Sequence, residues 1–194
     1  MQFDFRQALT TITKQVVTLA DQTPLVIVLI DGRAGSGKST LAAELKEQLF
    51  KELEYSPRVI HMDDLYPGWE GLRAGSQYLL QNVLLPLQKA TEASWQIWDW
   101  ETGERGASDL GNGWRFFSAP GVLIVEGCGS ISRASSELAQ LTVWIESDAQ
   151  TRRERWESRD GGRFNSFWNA WSAQEDEFYQ EERASQLAQI TVLN

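Results

Sequence analysis

The run Gly32-Arg33-Ala34-Gly35-Ser36-Gly37-Lys38-Ser39 limits what this chain can fold into more than any other stretch, because it satisfies G-x-x-x-x-G-K-[ST] at every fixed position. Glycine alone takes left-handed backbone cheaply, so Gly32, Gly35 and Gly37 let successive N–H groups turn toward one anion. In that pattern the lysine, Lys38, reaches the outer phosphates of a nucleoside triphosphate and the Ser39 hydroxyl ligates Mg²⁺. The loop amides from Gly32 through Arg33, Ala34 and Ser36 to Thr40 cradle the phosphates, while Lys38, read as lying in an exposed loop, supplies charge rather than packing. A glycine-rich turn can also arise by chance, so the flanks decide. Leu25 to Ile30 is an unbroken apolar run, as expected of a parallel strand covered on both faces. Behind the loop, Leu41, Leu45 and Leu49 lie four residues apart along a helix from about 38 to 53. The free N–H groups and positive dipole end of that helix face the anion. The expected ligand is a purine nucleoside triphosphate, taken as ATP, with Mg²⁺.

The rest of the chain alternates in the same manner. Residues about 5–20 carry a helical period that Pro24 ends, and Arg58 to Met62 reads as a second strand. Ser76 to Ala90 reads as a helix whose end Pro86 distorts. Trp95 to Trp100 and Trp114 to Phe117 read as strands around the turn-rich stretch 101–113, expected to be a mobile loop. Val122 to Glu126 and Leu141 to Glu146 are further buried strands. Helices follow over Asp148 to Arg159 and about Phe164 to Ala184, with a last short strand at Ala188 to Leu193. Strands alternating with helices predict an α/β fold with a mostly parallel sheet of about five strands and right-handed crossovers. All of it forms one domain over 1–194, with a small excursion around 95–118.

Composition removes several classes of function. Asp plus Glu outnumber Lys plus Arg by 27 to 18, a formal net charge of -9, which repels nucleic-acid backbones. One cysteine (Cys128) and one histidine (His61) allow neither an internal disulfide nor a Cys/His zinc site. A Ser-His-Asp triad would have to use His61, in the expected second strand. Leu25 to Ile30, the longest apolar run, is too short to cross a bilayer, and the N-terminus has no apolar stretch behind basic residues. The expectation is a cytoplasmic protein acting on a small molecule, with no nucleic-acid or membrane partner and its oligomeric state, a homodimer included, left open.

Two further elements bear on chemistry. Ile60-His61-Met62-Asp63-Asp64-Leu65-Tyr66 follows the second strand, where ligands sit in an open α/β sheet. A carboxylate there would face the γ-phosphate; the alternative is that Asp63 or Asp64 only caps backbone. Arg152, Arg155 and Arg159 fall at i, i+3 and i+7 on one helix face. With Arg153 and Arg163 they make five of the chain's 18 basic residues within a dozen positions. Guanidinium groups suit phosphate oxygens and the spread charge of a phosphoryl-transfer transition state. The alternative is a solvated face paired with Glu154 and Glu157.

The loop, the MDDLY element and VLIVEG (122–127) together resemble the uridine kinase and phosphoribulokinase-like group of P-loop kinases, and the resemblance covers about 25–160. It implies a three-layer P-loop NTPase fold and an ATP-dependent kinase moving the γ-phosphate to a hydroxyl of a small nucleoside-like or sugar-like metabolite. Asp63 stands where that group has its catalytic base, and Leu65 and Tyr66 stand where Phe and Tyr would be. Glu126 matches a carboxylate associated with Mg²⁺, giving an expected metal set of Ser39, Asp63 and Glu126. Asp148, Thr151, Arg152, Arg155, Arg159 and Asp160 match the group's lid (about 148–163). There Arg152 and Arg159 would hold the nucleotide and Arg155, with Lys38, would act on the transferring group. The uridine kinase segment Y-D-F-x-x-H-x-R corresponds to Trp98 through Arg105. Asp99 and Arg105 are retained, but Trp98 replaces Tyr and Gly103 replaces His. The expected acceptor pocket is therefore Asp63, Tyr66, Trp98, Asp99 and Arg105, with uridine and cytidine poor substrates. Trp69, Trp98 and Trp100 either stack on a ligand or only pack. The other functional class is a nucleotide-binding regulatory ATPase or switch with no small-molecule acceptor; no N-K-x-D guanine-reading element follows the 141–146 strand.

Overall fold

The structure, a computed structural model, describes residues 1–89, 91–106 and 111–194, without the side chain of Asp160. Ala90, the end of the expected 76–90 helix, and residues 107–110 of the expected mobile loop lie outside the described residues, as does the Asp160 carboxylate.

The chain starts with β1 (Gln2–Asp4) and α1 (Phe5–Ala20), whose N-cap Asp4 accepts from the Gln7 N–H at 2.9 Å. Then come β2 (Leu25–Asp31), α2 (Lys38–Leu53) and β3 (Arg58–His61). Helices α3 (Leu72–Leu79) and α4 (Leu85–Gln88) are joined by a π turn at Leu80–Leu84. Pro86 has no N–H and its ring presses on the carbonyl four residues back, so the helix widens ahead of it instead of breaking. The excursion holds β4 (Ala93–Gln96), β5 (Trp98–Asp99), β6 (Glu104–Arg105) and β7 (Trp114–Phe117). The chain finishes with β8 (Gly121–Glu126), α5 (Arg133–Ser136), β9 (Leu141–Glu146), α6 (Ala149–Ser158), α7 (Trp168–Glu182), α8 (Ala184–Leu187) and β10 (Ile190–Leu193).

Six strands form the main sheet in the order β1-β10-β9-β2-β8-β3, and every pairing in it is parallel. This is the expected α/β architecture with one strand more than the five expected. The extra strand is β1, three residues long with only Phe3 half-buried, too short to carry a periodic signal. The antiparallel pairs, β4 with β7 and β5 with β6, are confined to the excursion.

The continuous apolar run of β2 is explained by cover on both faces. Val26, Val28 and Ile30 point into a core with α1 and α2, where Ile12, Leu41, Leu45 and Leu49 are fully buried. Ile27 and Leu29 point the other way, into a core with Leu72, Leu79, Trp95 and Phe178. Each such side chain contributes about 1.5–3 kcal/mol on burial. Because β2 lies between β8 and β9, the loop after it opens beside the carboxyl ends of β3, β8 and β9.

Candidate active site

Asp31 ends β2 wholly buried and fixes the entry to the glycine loop. Its carboxylate accepts from the N–H groups of Gly32 (2.7 Å), Gly129 (3.1 Å) and Ile131 (2.8 Å) and from the Tyr179 hydroxyl (2.7 Å). Burial pushes this carboxyl up to about 6, against the opposing pull of those bonds and of Lys38. Gly35 and Gly37 then take φ of 79° and 101°. A Cβ on Gly35 would lie 2.4 Å from the Arg152 carbonyl oxygen, so the α6 backbone roofs the loop too closely for any side chain there. Gly37 caps α2, which begins at Lys38.

Lys38 is not exposed, as the sequence reading had it. It is buried, its Nζ donates to the Arg33 carbonyl at 3.0 Å, and the surrounding carboxylates of Glu126, Glu175 and Asp31 raise its ammonium against the burial that lowers it. The Arg33 guanidinium leaves the cleft for α7, where it meets Asp176 at 2.6 Å and Glu175 at 3.6 Å, so Arg33 offers only backbone to a ligand. Ser36 is also turned inward, its buried hydroxyl without a hydrogen-bond partner among the described residues. Ala34, Gly35, Gly37, Lys38, Ser39 and Thr40 line one end of a cleft of about 600 Å³.

Across this cleft stands the β3 end. Asp63 opens onto the cleft from a 3₁₀ turn (Met62–Asp64) and is exposed to solvent there. Crowding by protein and the nearby Glu126 carboxylate raise its carboxyl, while Arg159 and Lys38 pull the other way. Asp64 lines the cleft as well; burial raises it, and its opposing neighbours are His61, Arg115 and Arg58. Glu126, at the end of β8, accepts from the Ser39 hydroxyl at 3.1 Å and meets His61 Nδ1 at 2.5 Å on the same oxygen. That contact raises the half-exposed imidazole. His61 is thus tied to a carboxylate that also holds Ser39, and among the described residues no Ser-His-Asp relay is built on it. Ser39, Asp63 and Glu126, the expected metal set, are brought together as hard oxygen donors of the kind Mg²⁺ takes. Among the described residues no three His, Cys, Asp or Glu side chains cluster as a metal cage.

The lid arginines separate. Arg152 donates to the carbonyls of Ser147 (3.2 Å) and Ala34 (3.4 Å) and lies behind the loop instead of lining the cleft. Arg155 lines the cleft and donates to the carbonyls of Gly35 (3.2 Å) and Ser36 (3.4 Å). Arg159 lines it too, but from beyond the end of α6, with extended backbone at φ -69° and ψ 142°. The single helix face expected for the three stops one residue short. Glu157 pairs with Arg153, so the solvated-face alternative applies to that arginine. Asp148 caps α6, accepting from the Thr151 N–H at 2.9 Å.

The residues expected to form the acceptor pocket come together only in part: Asp63 and Tyr66 share the cleft. Trp98, Asp99 and Arg105 form the β5–β6 hairpin and are not on the cleft lining. The Asp99 carboxylate accepts from the N–H groups of Glu101 (2.8 Å) and Thr102 (3.2 Å), which closes the turn. Arg105 donates to the carbonyls of Gln96 (3.0 Å) and Leu65 (2.9 Å) and stacks 3.7 Å over the Tyr78 ring. These bonds fasten the excursion to the body of the protein. Arg105→Ala is therefore expected to lower unfolding free energy by roughly 2–3 kcal/mol, read by denaturant titration, while leaving nucleotide affinity within twofold. Tyr66 does line the cleft, with its hydroxyl donating to the Cys128 carbonyl at 2.7 Å. Trp69, Trp100, Trp156, Phe164 and Trp171 complete the wall. Trp69 stacks on Phe167 (4.3 Å between centroids, 6° between planes) and leans on Trp100 (4.9 Å), whose indole N–H donates to the Asp63 carbonyl at 2.9 Å. Trp69 therefore packs; the part-exposed Trp100 also presents its indole to the cleft. Trp100 and Phe164 were legible as aromatics, but no spacing signal tied them to Asp63.

No protein-family model and no curated protein sequence matches the chain. Solved structures do. A protein described as a possible uridine kinase from Bacillus stearothermophilus superposes with a TM-score of 0.60 at 19% identity, over 94% of this chain and 99% of that one. The YGR205w protein gives 0.63 at 13% identity over 97% and 93%. A candidate fructose transport system kinase from Silicibacter sp. gives 0.58 at 16% identity over 94% and 98%. The fold is P-loop kinase-like. At such identities the likeness reaches the fold and stops there. Among the described residues no helix is long and apolar enough to cross a membrane.

Proposed function

We propose that the chain is an ATP-dependent kinase that transfers the γ-phosphate to a hydroxyl of a small, ring-bearing, nucleoside-like metabolite. The observation that carries this reading is the two-ended cleft. One end is a glycine loop with Lys38 and Ser39; the other is an aromatic wall, and Asp63 lies between them. The loop amides and Lys38 bind and neutralise the triphosphate, which requires Lys38 to give up the Arg33 carbonyl. Asp63 takes the acceptor's hydroxyl proton at its carboxylate, and its raised basicity suits that task. Arg155 and Arg159 stand where charge on the transferring group would be met, and closure over them would exclude water. Mg²⁺, held by Ser39, Glu126 and Asp63, would supply charge neutralisation of the phosphates.

Trp98 and Gly103 lie off the lining, so their departures from the uridine kinase pattern no longer argue against a pyrimidine nucleoside. Trp100 and Phe164 instead favour an acceptor with a flat ring over an open polyol. Names carried by proteins of similar fold, a possible uridine kinase and a candidate fructose transport system kinase, bracket the two choices. ADP release across nucleosides, sugars, vitamins and nucleoside monophosphates, with mass spectrometry of the product, tests the reading. The expected result is ADP formed in proportion to one added ring-bearing alcohol. ADP formed at the same rate without any acceptor would favour a regulatory ATPase or switch. A nucleoside monophosphate as best acceptor would overturn the assignment of an uncharged, ring-bearing alcohol.

A further inference from the structure

Helix α7 sends three side chains under the glycine loop, and one of them is a wholly buried carboxylate that the proposed chemistry does not use. Glu175 Oε1 accepts the Ala34 N–H at 2.6 Å and the Cys128 S–H at 3.2 Å. Its other oxygen, Oε2, is buried with no hydrogen-bond partner among the described residues and lies 3.6 Å from the Arg33 guanidinium. One turn on, the Tyr179 hydroxyl donates to Asp31, and Arg33 lies over the Tyr179 ring at 5.5 Å. Asp176 takes the exposed side of Arg33 at 2.6 Å.

A buried carboxylate behind an anion site is costly, since it repels the phosphates and loses its own hydration. A neutral side chain could fill the space without that repulsion. What Glu175 does that a hydrocarbon cannot is take the Ala34 N–H and draw Arg33 away from the cleft. Both residues lie inside the loop whose later amides must converge on one anion.

We propose that Glu175 is a positioning residue for nucleotide binding: by holding the Ala34 amide and the Arg33 guanidinium from α7, it sets the loop in its anion-receiving shape before ligand arrives. The inference rests on the phosphate-loop part of the proposed function and not on the identity of the acceptor. The geometry also ties the loop to the aromatic wall, because Trp171, one turn before Glu175 on α7, lines the cleft and meets Tyr66 edge-on at 4.9 Å.

The test is calorimetric titration of the intact protein with Mg²⁺ and a non-hydrolysable ATP analogue, beside thermal unfolding of the same samples. Glu175→Gln keeps an acceptor for Ala34 but loses the hold on Arg33, and Kd is expected to rise about tenfold. Glu175→Ala should raise it further, and Glu175→Asp should recover part of the loss. Glu177→Gln, on the same helix but paired with Arg73 away from the loop, is the control and should stay within twofold. If Glu175→Gln and Glu175→Ala bind the analogue as wild type does, or if Kd follows melting temperature across variants whatever the side chain, the positioning role is overturned. Loss of kinase activity is not the readout, so absence of any acceptor would refute the kinase reading while leaving this test intact. Failure of wild type itself to bind the analogue would overturn both.

Discussion

Replacing Lys38 by methionine is expected to lower nucleotide-dependent turnover by roughly a hundredfold to a thousandfold, the usual consequence of losing one preorganised electrostatic partner of the transition state. The choice of methionine matters. Lys38 is buried and its Nζ satisfies the Arg33 carbonyl, so Lys38→Ala would also open a cavity and confuse a folding defect with a functional one. Methionine keeps most of the stem and removes the charge. Circular dichroism and melting would show a native fold with a modest loss of stability, and calorimetry would show weakened binding of Mg²⁺ and nucleotide. Near wild-type turnover by a folded Lys38→Met protein would sink the phosphate-loop assignment.

The second large effect is expected at Asp63. Asp63→Asn should cut kcat by about a hundredfold or more, within the reach of general-base loss, with nucleotide affinity changed far less. Asp64→Asn should do less, because the cations that act on Asp64 are His61, Arg115 and Arg58, while those that act on Asp63 are Arg159 and Lys38, at the phosphate end of the cleft. Steady-state kinetics with the best acceptor separates the two. A larger loss from Asp64→Asn would mean that the proposed base is the wrong one of the pair.

The architecture was legible because its signals are strong and local. A continuous apolar run means cover on both faces, and Leu25 to Ile30 has it. The glycine loop needs left-handed backbone at fixed positions, and only glycine meets that need. The terminal strand β1 was not legible, since it is defined by its partner β10 across the whole chain and not by its own three residues. Which side chains share the cleft was legible where sequence position fixes them relative to a strand end, as at Ser39, Asp63 and Glu126. Where the excursion decides, sequence position is a weaker guide. The uridine kinase resemblance points to Trp98 and Arg105, while the β5–β6 hairpin packs Arg105 on Tyr78 and brings Trp100 to the Asp63 backbone. Asp31, His61 and Glu175 went unassigned for a different reason. Glu175 is 141 positions from the amide it holds, and its helix reads as an ordinary acidic surface helix.

The aromatic wall has a practical consequence. Trp69, Trp100, Trp156 and Trp171, four of the nine tryptophans in the sequence, line the cleft, and Trp168 lies 5.4 Å from Trp156 just behind them. Indole emission depends on how much water and how many charged groups surround the ring. A ligand entering beside Asp63 would displace water from the exposed Trp100 ring, so the chain carries its own optical reporter at the proposed acceptor end. Screening for the acceptor can then proceed by intrinsic fluorescence, without label and without turnover, and Trp100→Phe would subtract the contribution of the most solvent-exposed ring of the four.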